Sequence, residues 1–106
     1  ICMDRSYPET ARGLAMNGAE VIYMPSYPEP WSGNGWYEIQ NRSRALDNTC
    51  YVVAPNSGPW FLNADSKLPM DVFGGKTQIV DYQGQIIGEH QAGRPNRWSP
   101  CHWTAR

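Results

Sequence analysis

Pro8-Glu-Thr-Ala-Arg-Gly-Leu-Ala-Met-Asn-Gly-Ala-Glu-Val-Ile-Tyr-Met24 is the stretch whose reading decides the fold class. Pro8 suits the first position of a helix, where the N–H it lacks would have no partner. Ala11, Leu14, Ala15 and Gly18 follow the spacing of an amphipathic helix, and Gly18 supplies the left-handed residue just past its end. Glu20-Val-Ile-Tyr-Met24 is a short apolar run stopped by Pro25, which reads as a buried strand. Helix, glycine turn and strand in that order predict an α/β layer.

Downstream, Pro25 to Gly35 holds three prolines, two glycines and Trp31 and reads as a surface loop. A second helix is expected over Trp36–Asp47, with Trp36, Ile39, Ser43 and Leu46 on one face and Arg42 and Arg44 directed elsewhere. Tyr51-Val-Val-Ala54 reads as a strand ended by Pro55. Residues 56–75 are punctuated by Gly, Pro, Asn and Asp and predict no regular element. Lys76–Asp81 and Gln85–Glu89 are two β-prone runs joined by Tyr82-Gln83-Gly84, a hairpin pattern. From residue 94 onward neither helical nor strand periodicity is present, so 94–106 reads as an irregular tail.

The 106 residues carry a net charge of −1, which gives no polyelectrolyte basis for nucleic-acid binding. Val, Ile, Leu and Phe are only 17 residues, and the five Trp and six Tyr supply apolar area in their place. No run is long enough to span a bilayer, and no charged start leads into an apolar signal segment. Cys2, Cys50 and Cys101 are an odd number without C-x-x-C spacing, which disfavours a disulfide framework and a structural zinc site and suggests a reducing, cytoplasmic setting. The start at Ile1 without Met reads as a cut through a larger protein.

Cys2 lies between Ile1, which could end a strand, and the helix that begins at Pro8. A thiol there has two readings: an inert buried side chain, or one in the field of a helix N-terminus with enhanced thiolate character. Residues 1–22, Ile1-Cys-Met-Asp-Arg-Ser-Tyr-Pro-Glu-Thr-Ala-Arg-Gly-Leu-Ala-Met-Asn-Gly-Ala-Glu-Val-Ile22, closely resemble the nucleophile segment of the nitrilase superfamily, the carbon–nitrogen hydrolases. Arg42-Ser-Arg-Ala-Leu-Asp-Asn48 is similar to that family's Arg-Ala-x-Glu-Asn helix. Tyr51-Val-Val-Ala-Pro-Asn56 is similar to its next strand, and Gly75-Lys-Thr-Gln-Ile-Val-Asp81 to its Gly-His-Ser-x-Ile-x-Asp strand. The four motifs occur in the family's order over residues 1–93.

The resemblance implies an α/β fold, part of a four-layer α-β-β-α sandwich that is incomplete in this chain, with residues 1–93 as the C-terminal portion of the domain. It implies Cys2 as the nucleophile that forms a thioester-type acyl-enzyme from an amide or N-carbamoyl substrate, with nitriles behind them. The backbone N–H of Met3 would be an oxyanion donor. Asp4 and Glu9 would hold the turn and helix, Glu9 with Arg12 at helical spacing. Arg5 has two readings, a guanidinium for a substrate carboxylate or a structural arginine. Asn56 likewise either hydrogen-bonds substrate or forms a turn.

Two departures stand out. Lys76 and Thr77 occupy the positions of the family's His and Ser. Its general-base Glu, its supporting Lys and a further Glu precede the nucleophile, so residues 1–106 alone are expected to be inactive. No metal or organic cofactor is implied, the partner is a small amide or carbamoyl molecule rather than nucleic acid or membrane, and the full-length parent is expected to be a homo-oligomer.

Two other function classes compete. Trp31, Trp36, Trp60, Trp98 and Trp103 could form a carbohydrate-binding surface, or supply core area instead. Cys2 could pair with His90 or His102 as a self-sufficient Cys–His hydrolase. A metal site from Cys50, Cys101 and His102 is weaker, because adjacent side chains rarely converge on one ion.

Overall fold

The computed structural model describes residues 1–26, 35–57, 62–63, 65, 75–91 and 99–100. A 3₁₀ turn over Cys2–Ser6 leads into helix α1 (Pro8–Met16), strand β1 (Val21–Tyr23), helix α2 (Trp36–Asn48) and strands β2 (Tyr51–Ala54), β3 (Gly75–Val80), β4 (Ile86–Gln91) and β5 (Ser99–Pro100). The five strands form one sheet in sequence order. β1 and β2 run parallel, with α2 as the crossover, and every later pairing is antiparallel.

Local chemistry sets the boundaries. Pro8 opens α1, and the helix closes through Gly18 at φ 91°, whose N–H reaches the Ala15 carbonyl at 2.9 Å. α2 ends on Thr49 in the left-handed region at φ 53°. The β3–β4 hairpin turns on Asp81, whose carboxylate accepts the N–H groups of Gln83 and Gln85 at 2.9 and 2.8 Å, with Gly84 at φ 75°. These elements match the sequence expectations to within a residue or two. The tail is not wholly irregular, because Ser99–Pro100 pairs with Gly88–Glu89.

Strand alternation gives the sheet two unlike faces. Ile22, Val52 and Val80 stand in register and are buried with Ala11, Tyr37 and Ala45 beneath the helices. Tyr23, Val53 and Ile79 form the matching row on the opposite face, where Tyr23 is 67% exposed. Helices therefore cover one face of the sheet.

The packing of α2 departs from its expected apolar face. Ile39 and Leu46 are 63% and 58% exposed, while Tyr37, Asn41, Arg44 and Ala45 are the buried positions. Polar tethers fix this rotation. Tyr37 donates from its hydroxyl to the Ala54 carbonyl at 2.8 Å, and Arg42 Nε donates to the Gly84 carbonyl at 2.8 Å. Asn41 Nδ2 donates to Gln78 Oε1 at 3.0 Å, and Gln78 Nε2 passes the chain to Glu89 Oε2 at 3.2 Å. Lys76 Nζ meets Glu38 Oε2 at 3.0 Å. Such groups fix orientation more sharply than apolar contact does, because a buried polar atom without a partner costs about 1–3 kcal/mol.

Truncation of this face is therefore expected to reverse the ranking that hydropathy suggests. Asn41→Ala orphans the Gln78 carbonyl oxygen and should lower unfolding stability by about 1–3 kcal/mol, whereas Ile39→Ala should fall within about 0.5 kcal/mol of the parent. Chemical denaturation of the intact protein reads both, and a larger loss for Ile39→Ala would contradict the packing.

Candidate active site

Parallel pairing carries the chain past the ends of β1 and β2 in the same direction. Met24 N–H donates to Val53 O and Ser26 N–H to Pro55 O at 2.8 and 2.9 Å, and Ser26 and Asn56 form the last bridge. The turn at Cys2 joins this edge, because Cys2 N–H donates to the Pro25 carbonyl at 2.8 Å. In open α/β sheets the crevice outside the carboxyl ends of parallel strands is where ligands are held.

Cys2 is a half-buried cysteine whose backbone lies at φ 58°, in the left-handed region that non-glycine residues rarely adopt. Strain of this kind costs of order 1–3 kcal/mol and persists where the surroundings over-determine it. Met3 follows as the second residue of the 3₁₀ turn, where the leading N–H groups have no carbonyl of their own turn to bond. Asp4 closes the turn, its backbone carbonyl accepting the Tyr7 N–H at 3.2 Å.

Arg5 is 1% exposed. Its Nη1 donates to Ser26 Oγ at 2.6 Å and its Nε to Gln40 Oε1 at 3.3 Å, and the guanidinium carbon lies 4.4 Å above the Tyr37 ring. These contacts favour the second of the two readings of Arg5, a structural arginine, over a guanidinium for a substrate carboxylate. A guanidinium stacked and bonded here would give up charge-assisted hydrogen bonds of about 1.5–3 kcal/mol each to reach elsewhere. Arg44, also expected to point away, is buried, and donates from Nε to the Arg5 carbonyl at 3.1 Å and from Nη2 to the Ser6 carbonyl at 3.4 Å.

Asn56 Nδ2 donates to the Gly75 carbonyl at 2.8 Å, and its backbone N–H donates to Thr77 Oγ1 at 3.2 Å. A register shift between Gly75 and Thr77, with Lys76 at φ 64°, sets Thr77 against Asn56. Glu9 and Arg12 line a shallow cleft of about 230 Å³ with Arg44 and Asp47, and the Glu9–Arg12 ion pair expected from spacing is absent among the described residues. Cys50 is buried, its Sγ–H donating to the Ala19 carbonyl at 2.9 Å, the environment of a structural thiol.

His90 lies in β4, three strands from β1 and roughly 14 Å away at ordinary strand spacing. A Cys–His dyad requires hydrogen-bond reach, so the sheet order does not support His90 as the partner of Cys2. Trp31, Trp60, Trp98, Cys101, His102 and Trp103 lie outside the described residues, as does most of the loop expected between Pro25 and Gly35.

Sequence does not single out Ser26, Tyr37 and Gln40, and it names Arg44 only within the helix motif and away from the apolar face. Tyr37, Gln40, Asn41 and Arg44 do follow helical spacing, but as a polar stripe that a search for apolar periodicity passes over. Nothing marks Ser26 in the sequence, because its role depends on the distant bridge to Asn56.

A model of the carbon–nitrogen hydrolase family matches residues 1–96. A deaminated glutathione amidase of Synechocystis is 38% identical over 55 residues, covering 52% of this chain and 20% of the relative. Among solved structures, Saccharomyces cerevisiae Nit3, of branch 10 of the nitrilase superfamily, superposes with a TM-score of 0.67 at 30% identity over 84% of this chain and 31% of that one. An amidase from Nesterenkonia sp. AN1, with an acetamide moiety added covalently at its active-site cysteine, superposes with a TM-score of 0.69 at 26% identity, covering 86% and 32%. The chain thus spans a fifth to a third of the length of these relatives.

The Thr77 hydroxyl offers a direct check on how the strand ends are joined. Thr77→Val removes the acceptor of the Asn56 N–H and should cost about 1–3 kcal/mol of stability. Thr77→Ser keeps the hydroxyl and should retain most of it. Equal losses on thermal or chemical unfolding would show that the hydroxyl does not join them.

Proposed function

The chain belongs to the carbon–nitrogen hydrolase family, and from that premise we propose that Cys2 is the nucleophile for a small amide or N-carbamoyl substrate, with nitriles a lesser class. The observation that carries this reading is the Cys2 backbone, held at φ 58° at the head of a 3₁₀ turn and tied to the end of β1. Strained backbone of this kind clusters at active sites, where the surrounding structure over-determines it. The neighbouring amidase with acetamide added at its active-site cysteine is consistent support.

In this reaction the Cys2 thiolate attacks the carbonyl carbon and the π electrons move to oxygen, which the Met3 N–H stabilises. One such donor contributes roughly 2.7–4 kcal/mol in other enzymes. Collapse of the tetrahedral species expels the amine, protonated by a general acid, and leaves a thioester. Water then adds to the thioester, the thiolate departs, and a carboxylic or carbamic acid is released. Asn56, at the adjacent strand end, keeps its two readings, a hydrogen bond to the substrate amide or a tie of the strand end to the Gly75 carbonyl. Asp4 and Glu9 are assigned to the turn and helix, not to proton transfer.

The intact protein with Cys2→Ala or Cys2→Ser should lose turnover of a primary amide by several orders of magnitude. Cys50→Ala should retain it, and iodoacetamide should label Cys2 before Cys50. Residues 1–106 by themselves should release no ammonia, because the family resemblance assigns the general base and supporting Lys to sequence ahead of the nucleophile. Full turnover by Cys2→Ala, with Cys50 labelled first, would remove Cys2 from this role.

A further inference from the structure

The Cys2 turn touches the segment that follows β1 at two consecutive residues by two different means. The Cys2 N–H bonds the Pro25 carbonyl, and three residues later the Arg5 guanidinium bonds the Ser26 hydroxyl. We propose that Arg5 is a positioning residue whose bond to Ser26 completes a two-point clamp, fixing the Cys2 sulfur and the Met3 N–H in one orientation. This inference rests on Cys2 being the nucleophile and assigns Arg5 a part in the same site.

One hydrogen bond leaves a turn free to pivot about that bond, and a second, side by side with the first, removes the pivot. Ser26 is itself fixed by its N–H to Pro55 O and its bridge to Asn56, so the anchor belongs to the sheet. The guanidinium is oriented from above and from the side, by the Tyr37 ring at 4.4 Å and by Gln40, and the Tyr37 hydroxyl is tied to the Ala54 carbonyl. Tyr37 and Gln40 come from α2, Ser26 follows β1, and Ala54 ends β2. The planar fork of Arg can bond at its edge and stack on its face at once, which an ammonium cannot do. From the far side Arg44 bonds the Arg5 and Ser6 carbonyls, so the backbone of Arg5 is held as well as its side chain. A shift of about 1 Å in a reacting group can cost on the order of a hundredfold in rate.

The test uses the intact protein with two substrates, a neutral primary amide and an N-carbamoyl amino acid bearing a carboxylate. Arg5→Lys should lower kcat on both by about ten- to a hundredfold, with KM changing by less than about threefold. Ser26→Ala, a milder change, should lower kcat in the same direction, and the double variant should be no worse than Arg5→Lys alone because the two residues act through one bond. The rate of iodoacetamide labelling at Cys2 should fall in both variants while labelling at Cys50 stays unchanged. A loss confined to KM for the carboxylate substrate would identify Arg5 as a substrate ligand and overturn the proposal. Lowered melting temperature with unchanged kcat per titrated thiol would also overturn it, leaving Arg5 a fold-stabilising residue only. Where Arg5→Lys does not fold, Ser26→Ala decides alone: unchanged kcat and labelling sink the clamp. Turnover retained by Cys2→Ser would instead sink the nucleophile assignment itself, a result distinct from either Arg5 outcome.

Discussion

Parallel pairing of Val21–Tyr23 with Tyr51–Ala54 is the constraint from which the remaining geometry follows. Parallel neighbours cannot be joined by a tight turn, so the connecting chain must cross a face of the sheet. α2 makes that crossing and so becomes the lid over Ile22, Val52 and Val80. The same pairing brings the carboxyl ends of β1 and β2 to one edge, where Ser26 and Asn56 bridge. Cys2, early in the sequence, reaches this edge through Pro25. An antiparallel arrangement of the same two strands would put Ser26 and Asn56 at opposite ends of the sheet.

The chain is poor in Leu and Ile, and the structure meets that shortage with directional polar contacts. α2 is held through Tyr37, Asn41, Arg42 and Arg44, each bonded to a different segment: the end of β2, β3, the hairpin turn and the Cys2 turn. Apolar ridges tolerate small rotations of a helix. A set of side-chain bonds to four separated acceptors does not, because any rotation that keeps one bond lengthens another. Low dielectric strengthens each bond and also raises the penalty for leaving one unmade. The exposure of Ile39 and Leu46 is a consequence, since the polar tethers leave them on the outward side.

The elements with strong local chemistry are legible in the sequence: Pro8 and Gly18 bound α1, Tyr51–Ala54 has the pattern of the strand it forms, and Tyr82-Gln83-Gly84 marks the hairpin turn. Each is decided by residues within a few positions of one another. The inner face of α2 is not legible in the same way, because Trp36, Ile39, Ser43 and Leu46 satisfy the apolar spacing that a surface helix turns inward. The competing stripe of Tyr37, Asn41 and Arg44 has the same period, and only partners outside the helix, at Ala54, Gln78 and Arg5, show that it is the inner one. Arg5 illustrates the same limit. Its charge type suits a carboxylate or a buried scaffold equally well, and its surroundings come from Ser26, Tyr37 and Gln40, which no local pattern joins to it.

Backbone strain at Cys2 links these features energetically. A non-glycine residue at φ 58° raises the free energy of the turn by roughly 1–3 kcal/mol. Relaxation would swing the following carbonyls, and two of those, at Arg5 and Ser6, accept from the Arg44 guanidinium. Hydrogen bonds to a charged donor contribute roughly 1.5–3 kcal/mol each, so even one of them is comparable to the strain it opposes. The amide of Cys2 is held by Pro25 on the opposite side. The left-handed conformation therefore does not depend on the turn sequence alone. It is imposed between a strand end and a helix whose own rotation is fixed by the sheet, so a change on the polar face of α2 reaches the thiol through the backbone that carries it.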